Sequence, residues 1–155
     1  MYFVTGDILS EFKTPCTNKL LVFTANSVLK ADQCLVMGAG IAKAVRDRYP
    51  GVDTFFGKGL AKHALMKPES HDKYGLLRGV YHGQSIAALQ TKYNWKNDSP
   101  LDLIEYSLDK LVVVAREYDE VHMTLPGCGN GGLSKEQVMP LLDRNWQTNV
   151  FIWEL

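Results

Sequence analysis

The chain has 155 residues, of which 46% are hydrophobic and 22% charged, with 17 basic and 17 acidic side chains and so no formal net charge. A chain of that length is expected to form one domain, residues 1–155, with a core that stands without disulfides or metal. The disordered and mini-protein classes are thereby excluded. Zero net charge argues against a dedicated non-specific binder of nucleic acid or anionic membrane, but it leaves room for a local basic groove.

The three cysteines, Cys16, Cys34 and Cys128, are odd in number and contain no C-x-x-C pair. A disulfide scaffold and a zinc ribbon are therefore poor readings. Met1 to Asp7 shows no basic region followed by an apolar segment, so no signal peptide is expected. No apolar run has the length that spans a bilayer. The expectation is a soluble, cytoplasmic, monomeric protein with no membrane partner.

In chain order, Tyr2–Thr5 is short and β-prone. Leu20–Ala25 (LLVFTA) reads as a buried strand. Gly38-Ala39-Gly40 opens a helix from Ile41 to Arg48, stopped at Tyr49-Pro50-Gly51 because the residue before proline is pushed out of helical geometry. Thr54–Leu65 is weakly marked as helical. Leu76–Tyr81 and Ser85–Thr91 read as strands joined by a hairpin at His82-Gly83-Gln84. Ser99-Pro100-Leu101-Asp102 predicts a helix start with Ser99 as cap, followed by a stripe of Leu101, Ile104, Leu108, Leu111 and Ala115. Val121–Leu125 is a strand. Ser134 to Gln137 matches a capping box, starting a helix that holds Pro140. Val150–Trp153 is the closing strand. Strands and helices interleave, which predicts an α/β layered fold with a mixed sheet and functional loops at the strand ends.

The strongest local signal is Pro126-Gly127-Cys128-Gly129-Asn130-Gly131-Gly132-Leu133, with four glycines in six positions between a strand and a helix. Bare backbone and a helix start together suit phosphate. A dinucleotide-binding unit fails here, because it needs an acid about 20 residues further on and a following half-sheet. Walker A fails too, since Leu133 stands where lysine is required. A second loop, Met37-Gly38-Ala39-Gly40-Ile41-Ala42, also opens a helix. Two such loops in one small domain suggest two phosphates, and a diphosphate gripped from both sides is the simplest ligand with that demand.

Taken in order, Gly6-Asp7-Ile8-Leu9, Ala25-Asn26-Ser27, Met37 to Ala42, Pro126 to Leu133 and Phe151 to Leu155 resemble a macrodomain, the three-layer α/β/α fold that binds ADP-ribose on a central mixed sheet. The resemblance runs from about residue 3 to the C-terminus. It is strongest to the branch of terminal ADP-ribose glycohydrolases, antitoxins that strip ADP-ribose from DNA, and ADP-ribose-1''-phosphate phosphatases.

That resemblance implies the following roles. Asp7 would accept a hydrogen bond from the adenine amino group, with Ile8 as a backbone contact. Asn26 would lie near the distal ribose. Gly38, Ala39, Gly40 and Ile41 would line the diphosphate on one side, and Gly127, Cys128, Gly129, Asn130, Gly131, Gly132 and Leu133 on the other. Trp153 would offer its face to the adenine. Without the family, Asp7 reads as a turn or cap aspartate and Asn26 as a strand-end residue bonding its own backbone. Trp153 then reads as core packing.

Lys92, at the end of the Ser85–Thr91 strand, occupies the place where this branch has a lysine that attacks the anomeric carbon of the distal ribose. A neutral amine is a competent nucleophile toward that carbon; a surface lysine is the plainer reading. The protein-directed glycohydrolases carry an aspartate in the second loop, and Gly131 stands there instead. Asp98 and Asp102 are the nearby carboxylates, with nothing in the sequence to put them in the site. Cys128 fits best as a small residue between glycines, and His63, His71, His82 and His122 show no metal-ligand spacing. No cofactor and no metal are expected. The expected activity is hydrolysis of an ADP-ribosyl linkage to protein or to a nucleic-acid base. The alternatives are an ADP-ribose-1''-phosphate phosphatase and a non-catalytic ADP-ribose reader. Zero net charge slightly disfavours DNA as carrier, although Lys43, Arg46, Lys92 and Lys96 could form a local patch.

Overall fold

The computed structural model describes residues 1–155. Six strands form one sheet: β1 (Tyr2–Thr5), β2 (Lys19–Ala25), β3 (Leu76–Tyr81), β4 (Gln84–Gln90), β5 (Glu120–Thr124) and β6 (Asn149–Glu154). Their order is β1-β6-β5-β2-β4-β3. Every neighbouring pair is parallel except β3 with β4. The predicted mixed sheet is thus observed, and its single antiparallel pair is the predicted hairpin. His82 (φ 48°) and Gly83 (φ 80°) make its two-residue turn.

Four helices cover the sheet: α1 (Gly40–Arg48), α2 (Val52–Met66), α3 (Leu101–Ala115) and α4 (Lys135–Leu142). β2 shows why two layers are needed. Leu21, Phe23 and Ala25 enter one core with Val45, Phe56 and Leu60 of α1 and α2. Leu20 and Val22 enter the other with Ile104, Leu108 and Val138 of α3 and α4. A strand buried on both faces reads as a continuous apolar run, and LLVFTA is one. β4 is buried at all seven positions for the same reason.

The α4 start is as the sequence predicts. Gln137 N–H donates to Ser134 Oγ at 3.3 Å, and Ser134 N–H donates to Gln137 Oε1 at 2.9 Å. The α3 start differs. Pro100, with extended backbone angles, is the N-cap residue, and Ser99 makes no capping bond. Ser99 is instead drawn inward: its N–H donates to Gly131 O at 2.8 Å, and its hydroxyl is buried without a partner. Tertiary packing against the glycine loop has overridden local capping preference. The short 3-10 helix Ile8–Phe12, which buries Ile8, Leu9 and Phe12, has too few residues to carry a periodic signal. No helix is long and apolar enough to cross a membrane.

Candidate active site

The carboxyl ends of β1, β2, β4, β5 and β6 open into one cleft of about 1230 Å³. Both glycine-rich loops reach it. Gly38 to Ile41 lies on its wall, and so does Gly127 to Gly131. They approach each other closely, because a Cβ built on Gly40 would lie 3.5 Å from Nδ2 of Asn130. The predicted convergence of the two loops is therefore present in the fold.

The donors in these loops are free. Ala39 caps α1 with no side-chain bond. The amides of Gly40, Ile41 and Ala42 find no acceptor in the protein, and neither does that of Asn130. Unpaired N–H groups at a helix start, with the helix dipole behind them, favour an anion. Gly132 and Leu133 depart from the expected lining. Gly132 turns the chain away, with its N–H on Gly129 O at 3.0 Å. Leu133 N–H goes to Gly127 O at 3.0 Å, and its side chain packs on the core beneath α3 and α4. Neither residue lines the cleft.

Asp7 and Ile8 line the cleft at the end of β1. Asp7 also caps the 3-10 helix, its Oδ1 accepting from Leu9 N–H at 3.0 Å. Asn26 lines the cleft but is already committed: its Nδ2 donates to Val36 O at 3.0 Å and its Oδ1 accepts from Val28 N–H at 2.9 Å. Those bonds tether the segment leading to Gly38, so Asn26 shapes the first loop.

Lys92 reaches the cleft. Its Nζ donates to Asn130 O at 2.7 Å and to Trp95 O at 3.2 Å. Its main chain is held by Gln90, a fully buried residue whose amide makes four bonds. Gln90 Oε1 accepts from Tyr74 and Gly75 N–H, both at 2.9 Å, and its Nε2 donates to Asp72 O at 2.7 Å and Lys92 O at 3.2 Å. Of the other expected basic residues, Lys96 lines the cleft. Lys43 and Arg46 lie along α1 and pair with Asp47.

Trp153 brings its indole to the cleft beside Gly6. The ring is fixed by His122, whose Nδ1 accepts the indole N–H at 2.9 Å. An accepting Nδ1 leaves the His122 proton on Nε2, which donates to Glu120 Oε1 at 2.8 Å. His122 is buried, stacked on Phe151 and edged by Phe12. Glu11 and Glu120 approach it, and Lys19 pairs with both carboxylates at 3.8 and 3.7 Å, supplying that cluster with its cation. This relay was not visible in the sequence. The β5–β6 register sets His122 opposite Phe151, so Trp153 follows on the same face.

Burial pushes the His122 imidazole below its ordinary value, outweighing the opposing pull of Glu120. Between the ordinary value of about 6.5 and the lower folded one, the unfolded chain takes up a proton that the native chain refuses. Stability is therefore expected to fall as pH drops below about 6.5. Thermal melting across that window checks this, and His122→Gln should flatten the slope.

Burial also pushes the Cys128 thiol up, with Glu136 and Glu154 adding to the effect. Cys128 thus stays protonated and packs against the second core. Gly131 has a steric explanation: a Cβ there would fall 2.6 Å from Ser99 Oγ and 3.3 Å from Ser99 Cβ. The space an acidic side chain would need is filled by Ser99. Gly131→Asp is expected to cost about 2 kcal/mol through overpacking. Ser99→Gly should return part of it, measured by denaturant unfolding as a double-mutant cycle. Asp98 does not replace the missing acid. Its carboxylate lies against Gly132, outside the lining, and Asp102 Oδ1 accepts from Leu103 N–H.

No protein-family model matches the sequence. Among curated proteins, the chain is similar to the DNA ADP-ribosyl glycohydrolases of Mycobacterium bovis (strain BCG / Pasteur 1173P2) and Mycobacterium tuberculosis (strain ATCC 25618 / H37Rv). Each is 30% identical over 131 residues, which is 77% of this chain and 36% of the relative. The chain thus spans about a third of their length. Among solved structures it superposes on the macrodomain of Mycobacterium tuberculosis DarG with a TM-score of 0.74 and 27% identity, covering 99% of this chain and 97% of that one. The macrodomain of Thermus aquaticus DarG gives 0.71 and 23% identity, covering 99% and 97%. Thermosipho africanus DarTG in complex with ADP-ribose gives 0.71 and 24%, covering 98% of this chain and 41% of that one. The last two bear on the fold alone. With both phosphate-type loops facing one cleft on this sheet, the chain has the macrodomain fold, and it resembles the macrodomains of DarG.

Proposed function

We propose that this macrodomain binds ADP-ribose in the cleft and hydrolyses the bond joining ADP-ribose to a DNA base. Lys92 is the nucleophile. The diphosphate lies between Gly38–Ile41 and Gly127–Gly131, where free amides from both sides receive its oxygens. Adenine lies at the Asp7, Ile8 and Trp153 end, and the distal ribose faces Lys92.

The observation that carries the reading is the pair of acceptors on Lys92. Once its ammonium has given a proton to solvent, the amine keeps two N–H bonds and one lone pair. The carbonyls of Asn130 and Trp95 accept two N–H bonds. The lone pair is then left for the anomeric carbon. A bond forms between Nζ and that carbon as the bond to the base breaks. The electron pair leaves with the base, which takes up a proton, and water then displaces the lysine to give free ADP-ribose. DNA rather than protein as carrier is supported by the curated relatives' activity and by the missing acid at Gly131.

The test is incubation with ADP-ribosylated oligonucleotide, ADP-ribosylated protein and ADP-ribose-1''-phosphate, with products read by mass spectrometry. Release of ADP-ribose from the oligonucleotide is expected. Turnover of the phosphate alone would make the protein a phosphatase, and no turnover at all would make it a reader.

A further inference from the structure

Trp95 stands apart from the other two tryptophans. Trp146 donates its indole N–H to Leu142 O and Trp153 donates to His122, whereas Trp95 gives its own to no protein acceptor. It is 51% exposed at the rim of the cleft. Its backbone is held in place. Tyr93 O accepts from both the amide and the hydroxyl of Ser27, Asn94 Oδ1 accepts from Lys96 N–H, and Asn94 O accepts from Asn97 N–H. The Trp95 carbonyl accepts from Lys92 Nζ, which ties this loop to the proposed nucleophile. The Lys96 ammonium lies 5.4 Å from the ring centroid. A large, half-exposed aromatic ring on a pinned loop, with a cation over one face and the other face left for a base, is the arrangement by which proteins seat unpaired bases.

We propose that Trp95 is a specificity residue for single-stranded DNA: the base flanking the ADP-ribosylated nucleotide stacks on its indole, and the adjoining phosphate meets Lys96. The inference rests on the reading that DNA is the carrier. It also explains how a chain of zero net charge holds DNA, since stacking next to an anchored ADP-ribosyl group needs no broad basic surface. Binding of unmodified DNA is accordingly weak.

The experiment compares Kd for an ADP-ribosylated single-stranded oligonucleotide with Kd for free ADP-ribose, by stopped-flow anisotropy read before turnover, in wild type, Trp95→Ala and Trp95→Phe. The wild type should bind the modified oligonucleotide about tenfold or more tighter than ADP-ribose. Trp95→Ala should bring that ratio close to one, and Trp95→Phe should keep most of it. In turnover, Trp95→Ala should raise KM for the oligonucleotide by a clearly larger factor than KM for the same linkage on an isolated nucleoside, and Trp95→Phe should restore most of the difference. A wild-type ratio near one, an equal effect of Trp95→Ala on both ligands, or a preference for ADP-ribosylated peptide would overturn the inference. Tight, Trp95-dependent binding without hydrolysis would leave it standing and overturn the proposed reaction instead.

Discussion

Lys92→Arg is expected to leave ADP-ribose affinity within a few-fold of wild type and to lower release of ADP-ribose from modified DNA by about 10³-fold. Arginine can donate to the carbonyls of Asn130 and Trp95 as Lys92 does. It cannot shed its proton and attack carbon. The substitution thus separates holding the loop from doing the chemistry. Lys92→Ala should lose turnover to a similar degree and also weaken binding, because the Asn130 carbonyl loses the donor that fixes it. Single-turnover kinetics with calorimetry of the free ligand reads both. Lys92→Arg with near-normal turnover would reduce the lysine to a strut.

Gly57→Ala is expected to lower stability by about 3 kcal/mol, a fall in Tm on the order of 10 °C for a chain of this size. Gly57 lies where α2 crosses the loop before the first glycine segment. A Cβ there would fall 2.0 Å from Gln33 O and 3.1 Å from Cys34 Cα. Backbone must move, and the same loop is tied to α2 by Leu35 N–H on Asp53 O and by Cys34 Sγ against Thr54 Oγ1. A few residues on, that loop becomes Gly38 to Gly40, so ligand affinity should fall with stability. Gly59 is the control. A Cβ there meets only Leu77 at ordinary contact distance, 3.6 Å. Gly59→Ala should therefore stabilise by about 0.5–1 kcal/mol through helix propensity alone. Melting curves of the two variants, two residues apart on one helix, should move in opposite directions.

The sequence displayed those parts of the molecule whose cause is local. LLVFTA is legible because a strand covered on both faces has no polar alternation. The α4 capping box is legible because both partners lie within one turn. The glycine loops are legible because a run of bare backbone has few other uses. What stayed hidden depends on residues far apart in the chain. The Trp153–His122 bond joins neighbouring strands between residues 31 apart in sequence. Ser99 resembles a cap until the glycine loop arrives against it. Gly132 and Leu133 belong to the motif by sequence, yet in the fold Gly132 turns the chain away from the cleft and Leu133 packs against the core. Trp95 carries no pattern at all, and only the cleft beside it gives its exposure meaning.

Calorimetric titration of the wild-type protein with ADP-ribose tests the central claim most directly, since the free amides of two loops are held to receive one diphosphate. Saturable heat at one ligand per chain is predicted, with adenosine alone binding far more weakly. An absence of heat with ADP-ribose, or equal affinity for adenosine, would contradict it.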